Sequence, residues 1–257
     1  MFDKVKLYSR VLGEGQPLLI IHGLFGMSDN WQSLAKRYAD YFEVHLIDQR
    51  NHGRSPHADE FSYLHLSNDL HQYIIDNQLN DVIIIGHSLG GKTAMQFAVS
   101  YPELLSKLII VDISPRFYPI HHDKIIEGLK MLDFSILQSR SQADAVLSEY
   151  IEEGDVRQFL LKSMYWKEKG QLDFRFNLKS ISQNIANVGE ALDNEANCSI
   201  PTLFIKGGNS NYINDDDEDL IFKHFTGAEI QTVDEVGHWL HAEKPQEFFE
   251  MTVRFCL

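Results

Sequence analysis

The sequence predicts an α/β fold: a mostly parallel sheet covered by helices on both faces, with a helical insertion in the second half of the chain. Three observations lead there. Short aliphatic runs alternate with helical stretches. The alternation stops once, between Pro115 and about Asn197. A glycine-flanked serine stands where one aliphatic run meets a helix. With 257 residues, 44% of them hydrophobic and 23% charged, the composition is that of a globular chain long enough for one large α/β unit.

Taken in order, Lys4 to Leu12 is expected to form one or two edge strands. Buried strands are expected at Pro17–Ile21, Glu43–Ile47, Asp81–Ile85, Lys107–Val111, Pro201–Ile205 and Glu229–Val233. Each run is short, rich in Ile, Leu and Val, and bounded by Gly, Asp, Asn or Pro. Helices fall near Ser28–Ala39, Tyr63–Gln78 and Lys92–Tyr101, and a last one starts near Pro245. The segment from Pro115 to Asn197 has no buried strand run. It is helix-patterned and carries Phe117, Tyr118, Phe134, Phe159, Tyr165, Trp166, Phe174 and Phe176. These features predict a core built from 1–114 and 198–257, with 115–197 inserted between two core strands as a helical cap.

Charge narrows the partners. Twenty-three basic against thirty-seven acidic residues leave a net charge of −14, and no Lys/Arg run offers a local patch. That field repels nucleic acid and anionic lipid. The longest aliphatic stretches, Leu18–Ile21 and Val82–Ile85, fall far short of the ~18–20 residues that a membrane-spanning helix needs. Met1, Phe2, Asp3 and Lys4 place charges where a signal peptide needs apolar residues. Cys198 and Cys256 lack CxxC spacing and are expected to be reduced, in a cytoplasmic protein. The acidic run Asp215–Asp219 suits a solvated helix N-terminus, and its spacing is not that of a calcium loop.

The chemistry concentrates at the ends of the strands. Gly86-His87-Ser88-Leu89-Gly90 is a G-x-S-x-G pattern, weak alone but specific in its setting after a buried strand and before a helix. A sharp strand-to-helix turn lifts the serine hydroxyl clear of the sheet, and the helix N-terminus behind it offers N–H groups to a developing oxyanion. A serine also needs a general base. Of twelve histidines, His238 follows the last strand run and so belongs at the same sheet edge as Ser88; His241, three residues on, is its rival. A metal pair formed by these two lacks a third ligand at a suitable spacing. His57, His65, His71, His121, His122 and His224 lie in helical or loop stretches and are expected at the surface. The loop His22-Gly23-Leu24-Phe25-Gly26 follows the strand at Pro17–Ile21. It nominates the backbone N–H of Leu24, with Phe25 the alternative, to form an oxyanion site together with the N–H of Leu89.

These motifs together resemble the α/β-hydrolase superfamily. HGLFG, DQRNHGRS (Asp48–Ser55), GHSLGG and GHWLHAEKP occur in the family order. VDISP (Val111–Pro115), FLLKS (Phe159–Ser163), FRFN (Phe174–Asn177) and GGNS (Gly207–Ser210) resemble the YbfF-type bacterial esterases within it. The resemblance covers nearly the whole chain. It implies a mostly parallel eight-stranded sheet flanked by helices, a helical cap, and an ester or thioester hydrolase with a Ser-His-acid triad. It gives Asp48 and Arg50 structural places in a loop.

The chain departs from the superfamily at the acid. After the strand Pro201–Ile205 the family pattern is G-x-x-D, and here Ser210 stands in the aspartate's place. A hydroxyl cannot carry the charge that stabilises an imidazolium. Two repairs are open. Asp112 ends the strand next to the nucleophile's strand and keeps the Ser–acid–His chain order, in which case Ser210 would join a four-member network. Asp215, Asp216 or Asp217 lies just beyond the usual slot.

The expected reaction is hydrolysis of small-molecule carboxylic esters with short to medium acyl chains, through an acyl-enzyme on Ser88 and without metal or organic cofactor. An acyl-CoA thioester is the alternative substrate, for which Arg116 and Lys162 are the nearest candidate phosphate partners. A silent binding protein is the alternative class, favoured by Ser210 alone. Dehalogenases and epoxide hydrolases of this fold use an aspartate nucleophile, which Ser88 disfavours.

Overall fold

A computed structural model describes residues 5–120 and 122–257. The elements run β1 (Ser9–Leu12), β2 (Pro17–Ile21), α1 (Gln32–Tyr38), β3 (Glu43–Ile47), α2 (Tyr63–Asp76), β4 (Val82–His87), α3 (Leu89–Ser100) and β5 (Leu105–Val111). Then come α4 (Asp123–Lys130), α5 (Arg140–Leu147), α6 (Gly154–Lys162), the hairpin β6 (Met164–Glu168) and β7 (Gln171–Phe174), α7 (Leu178–Gln183) and α8 (Ile185–Val188). The chain closes with β8 (Thr202–Gly207), α9 (Glu218–His224), β9 (Ala228–Val233), α10 (Leu240–Glu243) and α11 (Pro245–Cys256).

The main sheet has the order β1-β3-β2-β4-β5-β8-β9, with β1 antiparallel to β3 and the other pairs parallel. It contains seven strands among the described residues, one fewer than expected. The stretch before β1 does not extend the ladder, because loops take its backbone groups. The Val5 N–H donates to Asp69, the Tyr8 N–H donates to Ser55 Oγ, and the Tyr8 carbonyl accepts from the Asp48 N–H. The charged start Met1–Lys4 and His121 lie outside the described residues.

The aliphatic strands are apolar on both sides, and alternation sorts their residues between two cores. Leu19, Ile21, Ile84, Leu108, Ile110 and Phe204 pack with α2, α3 and α9. Leu18, Ile20, Ile83, Ile85, Ile109 and Leu203 pack with α1 and α11. A third core joins the inserted segment to the loops at the sheet edge. Leu24, Phe25, Phe61 and Leu89 meet Leu129, Leu160, Phe174 and Phe176 there.

The inserted segment is not wholly helical. β6 and β7 pair antiparallel through a turn at Gly170, whose φ of 84° suits glycine. Its polar sequence Lys167–Gln171 is a turn signal that the surrounding aromatic pattern masks. His224 also differs from expectation. It is 1% exposed, with Nδ1 bonded to the Ala196 carbonyl, because the last residue of the short α9 turns inward. Among the described residues no helix is long and apolar enough to cross a membrane.

Candidate active site

β4 delivers the serine. His87 ends the strand, Ser88 takes φ 53° and ψ −116°, and α3 begins at Leu89, three residues earlier than the sequence suggested. This positive φ is the strained turn expected at such a position. The Ser88 N–H donates to the Val111 carbonyl of the neighbouring strand's end, and its carbonyl accepts from Lys92. The turn needs glycine for space: a Cβ on Gly86 would lie 2.4 Å from the Gly90 carbonyl oxygen, and one on Gly90 would lie 2.4 Å from that of Ile21.

Asp112 follows β5 directly, is fully buried, and also has a positive φ, 50°. Its N–H donates to the Ile205 carbonyl at 2.8 Å, which fixes the residue to β8. Oδ1 accepts from the Gly207 N–H at 3.0 Å. Oδ2 accepts from the Ser210 hydroxyl and from His238 Nδ1, the latter at 2.8 Å. A buried carboxylate with three donors has its charge compensated. The structure thus brings Asp112, Ser210 and His238 together across β5, β8 and the loop after β9. The acidic run is engaged elsewhere: Asp215 pairs with Lys206, and Asp217 is buried against Arg116 and Ser114. Asp216 is exposed. The ion pair with Asp217 also occupies Arg116, while Lys162 is exposed on α6.

His238 retains 20% side-chain exposure, and its ring stacks on Tyr212 with centroids 4.0 Å apart. Burial and the Asp112 charge push the Tyr212 hydroxyl pKa up to about 12, so it remains a phenol. Ser88 and His238 line one cavity of about 210 Å³, together with Gly23, Leu24, Phe159 and Trp239. The rival His241 is buried on the far side of His87. It stacks flat on Trp31 with centroids 4.0 Å apart, and its Nδ1 has no partner among the described residues.

Several buried histidines that the motifs did not single out support this edge. His87 Nε2 donates to the His238 carbonyl at 2.9 Å, which ties the strand that carries Ser88 to the His238 loop. His22 Nδ1 bonds to the Gly23 carbonyl, and its Nε2 accepts from the Gln49 N–H. His52 Nε2 accepts from the Phe25 N–H at 3.1 Å. That bond commits the Phe25 amide to a side chain, while Leu24 and Phe25 both line the Ser88 cavity. Burial lowers the pKa of His22 to about 4 and that of His52 to about 3, so both are neutral acceptors at neutral pH. The only sequence signal for them is their place beside the glycine loops. Asp48 accepts from the Ser28 and Arg54 N–H groups, and Arg50 pairs with buried Asp69 at 2.6 Å, so both shape the loop.

A family model described as the alpha/beta hydrolase fold matches residues 16–245. The chain belongs to this family. Esterase YbfF of Escherichia coli is 32% identical over 240 residues, covering 93% of this chain and 92% of that one. The sn-1-specific diacylglycerol lipase ABHD11 of Danio rerio is 36% identical over 251 residues, covering 95% of this chain and 79% of that one. Among solved structures, a marine microorganism esterase superposes with a TM-score of 0.95 at 44% identity, covering 98% of this chain and all of that one.

Proposed function

We propose that this α/β-hydrolase is a serine carboxylesterase acting on small-molecule esters in the cytoplasm. The observation that carries the reading is the chain of contacts from buried Asp112 to His238, in a cavity that also holds Ser88 at a strained strand-to-helix turn. His238 Nε2 takes the Ser88 proton as Oγ attacks the carbonyl. The backbone N–H groups of Leu24 and Leu89 hold the oxyanion. His238 returns the proton to the leaving alcohol, and water then releases the acid from the acyl-enzyme. Asp112 orients the ring and balances the imidazolium, and Ser210 steadies the Asp112 carboxylate. No metal or organic cofactor enters these steps. Segment 115–197 is the cap that walls the cavity. Its contacts through Phe159 and Leu160 support that role, and the esterase and lipase names of the relatives support the ester-hydrolase reading. Both cysteines are buried and unpaired, which fits a reducing cytoplasm.

The test is hydrolysis of p-nitrophenyl esters of graded acyl length by the wild type and by Ser88→Ala. The expected outcome is wild-type turnover with a loss of ~10⁴-fold or more in the variant. Equal rates in the two proteins, or no turnover by folded wild type, would overturn the reading. The acyl-CoA alternative gains nothing from Arg116, which Asp217 already engages.

A further inference from the structure

Ser88 stands where two cavities meet, and they are unequal. Leu24, Ser88 and Tyr212 line both, as does His122, which the sequence placed at the surface and the fold turns toward the serine. The larger, about 210 Å³, contains His238 and is walled by Val156, Phe159, Leu160 and Trp239. The smaller, about 30 Å³, does not reach His238. It runs past Leu89 between Tyr63, Ile113, Ile185 and Val188.

We propose that the larger arm takes the alcohol of the ester and the smaller arm takes the acyl chain, so that the substrates are short-chain acyl esters of bulky apolar alcohols. This rests on the serine-hydrolase reading. The assignment follows from where the protons go. His238 removes a proton from Ser88 Oγ and delivers it to the leaving oxygen, so both oxygens must lie on the His238 side of the tetrahedral carbon. The oxyanion points to the Leu24 and Leu89 N–H groups. The fourth substituent, the acyl chain, is then directed away from His238, into the arm that lacks it.

Size and stiffness set the preference. A cavity of about 30 Å³ offers about twice the ~10–15 Å³ that one water needs, which suits the few carbons of a short acyl chain up to about butyryl. Its wall is pinned by polar bonds. The Tyr63 hydroxyl donates to the Val188 carbonyl at 2.6 Å, Asn187 Nδ2 to the Phe61 carbonyl at 2.8 Å, and the Tyr118 N–H to the Gly189 carbonyl at 2.8 Å. The large arm is walled by ring and aliphatic packing, with Phe159 against Trp239 at 5.4 Å between centroids. A methylene forced into or withheld from a fitted apolar pocket changes kcat/KM by about 10–200-fold, so the two arms should select in opposite directions.

The experiment uses two ester series with the wild-type protein. One keeps 2-naphthol as the alcohol and lengthens the acid from acetyl to octanoyl. The other keeps acetate and enlarges a primary alcohol from ethyl through cyclohexylmethyl to 2-naphthylmethyl, which holds leaving-group acidity within a narrow range. The expected kcat/KM falls about tenfold or more beyond butyryl in the first series and rises about tenfold or more along the second. Val188→Ala and Ile185→Ala should each move the acyl cut-off to longer chains and leave the alcohol series unchanged. Phe159→Ala should flatten the alcohol series and leave the chain-length dependence of the acyl series unchanged. Ratios within one preparation cancel the fraction of folded enzyme, so partial misfolding does not blur the result. An acyl optimum at octanoyl, or an acyl series altered by Phe159→Ala and not by Val188→Ala, would overturn the assignment while leaving the hydrolase reading intact. Failure of folded wild type to cleave any ester in either series would overturn both.

Discussion

The Asp112 carboxylate divides its acceptor sites unevenly among the described residues: Oδ1 serves a backbone N–H, whereas Oδ2 serves both Ser210 and His238. The two side-chain partners are not equivalent. Asp112→Asn removes the charge opposite the imidazolium and puts an amide donor within reach of Nδ1, which favours the wrong tautomer. A loss of about 10⁴-fold in kcat is expected, with the circular dichroism spectrum preserved. Ser210→Ala removes one donor from a carboxylate that keeps two others. That costs ~1 kcal/mol, or about fivefold in kcat/KM. Steady-state kinetics on one p-nitrophenyl ester measures both, and equal losses would refute this division of roles.

At the scale of elements, the site is where β2, β4, β5, β8 and β9 end along one edge of a mostly parallel sheet, and each strand contributes its loop. The start of α3 packs tightly on the end of β2. Gly90→Ala puts a Cβ within 2.4 Å of the Ile21 carbonyl oxygen, backbone against backbone, and neither element can yield without moving Leu89 or the His22–Gly26 loop. Overpacking of this kind costs ~1–3 kcal/mol. A lower urea midpoint together with reduced kcat is expected, and an unchanged midpoint would contradict the packing argument. Lys92, on the same helix, fastens the insertion. Its buried Nζ donates to the Arg116 and Glu190 carbonyls, which lie where the insertion leaves the core and where it returns. Burial lowers its pKa to about 7.

At the scale of the molecule, several neutral histidines are locked inside. Burial lowers His52 and His241 to about 3 and His22 to about 4, and pushes His87 well below its ordinary value. Between those values and 6.5 the unfolded chain binds protons that the folded chain refuses, so stability is lost as pH falls below 6.5. Each such histidine contributes a slope of up to ~1.4 kcal/mol per pH unit. Urea midpoints are expected to drop steeply from pH 6.5 to pH 4.5. His241→Phe, which keeps an aromatic ring on Trp31 and removes the unpaired Nδ1, should make that drop shallower by about one proton's share. An identical slope in the variant would show that His241 titrates normally in the fold.

The order of the elements was legible in the sequence because strands and helices announce themselves through short-range patterns. Ile83, Ile84 and Ile85 leave no face for water, and the glycines around Ser88 and in the His22–Gly26 loop mark close turns. The hairpin at Gly170 was hidden because its strands are short and aromatic inside a segment with helical spacing. By itself the sequence determined the fold class, the turn that carries Ser88 and the place of His238 after the last strand, since each depends on neighbours within a few residues. Tertiary structure alone decided which carboxylate faces His238. Asp112 and His238 are 126 residues apart in sequence, and only the order of β5, β8 and β9 in the sheet brings them together. The fold likewise turned His87 toward the His238 carbonyl and divided the space around Ser88 into two unequal arms. A periodic pattern encodes the face a residue presents, whereas the partner it meets depends on how distant faces are stacked.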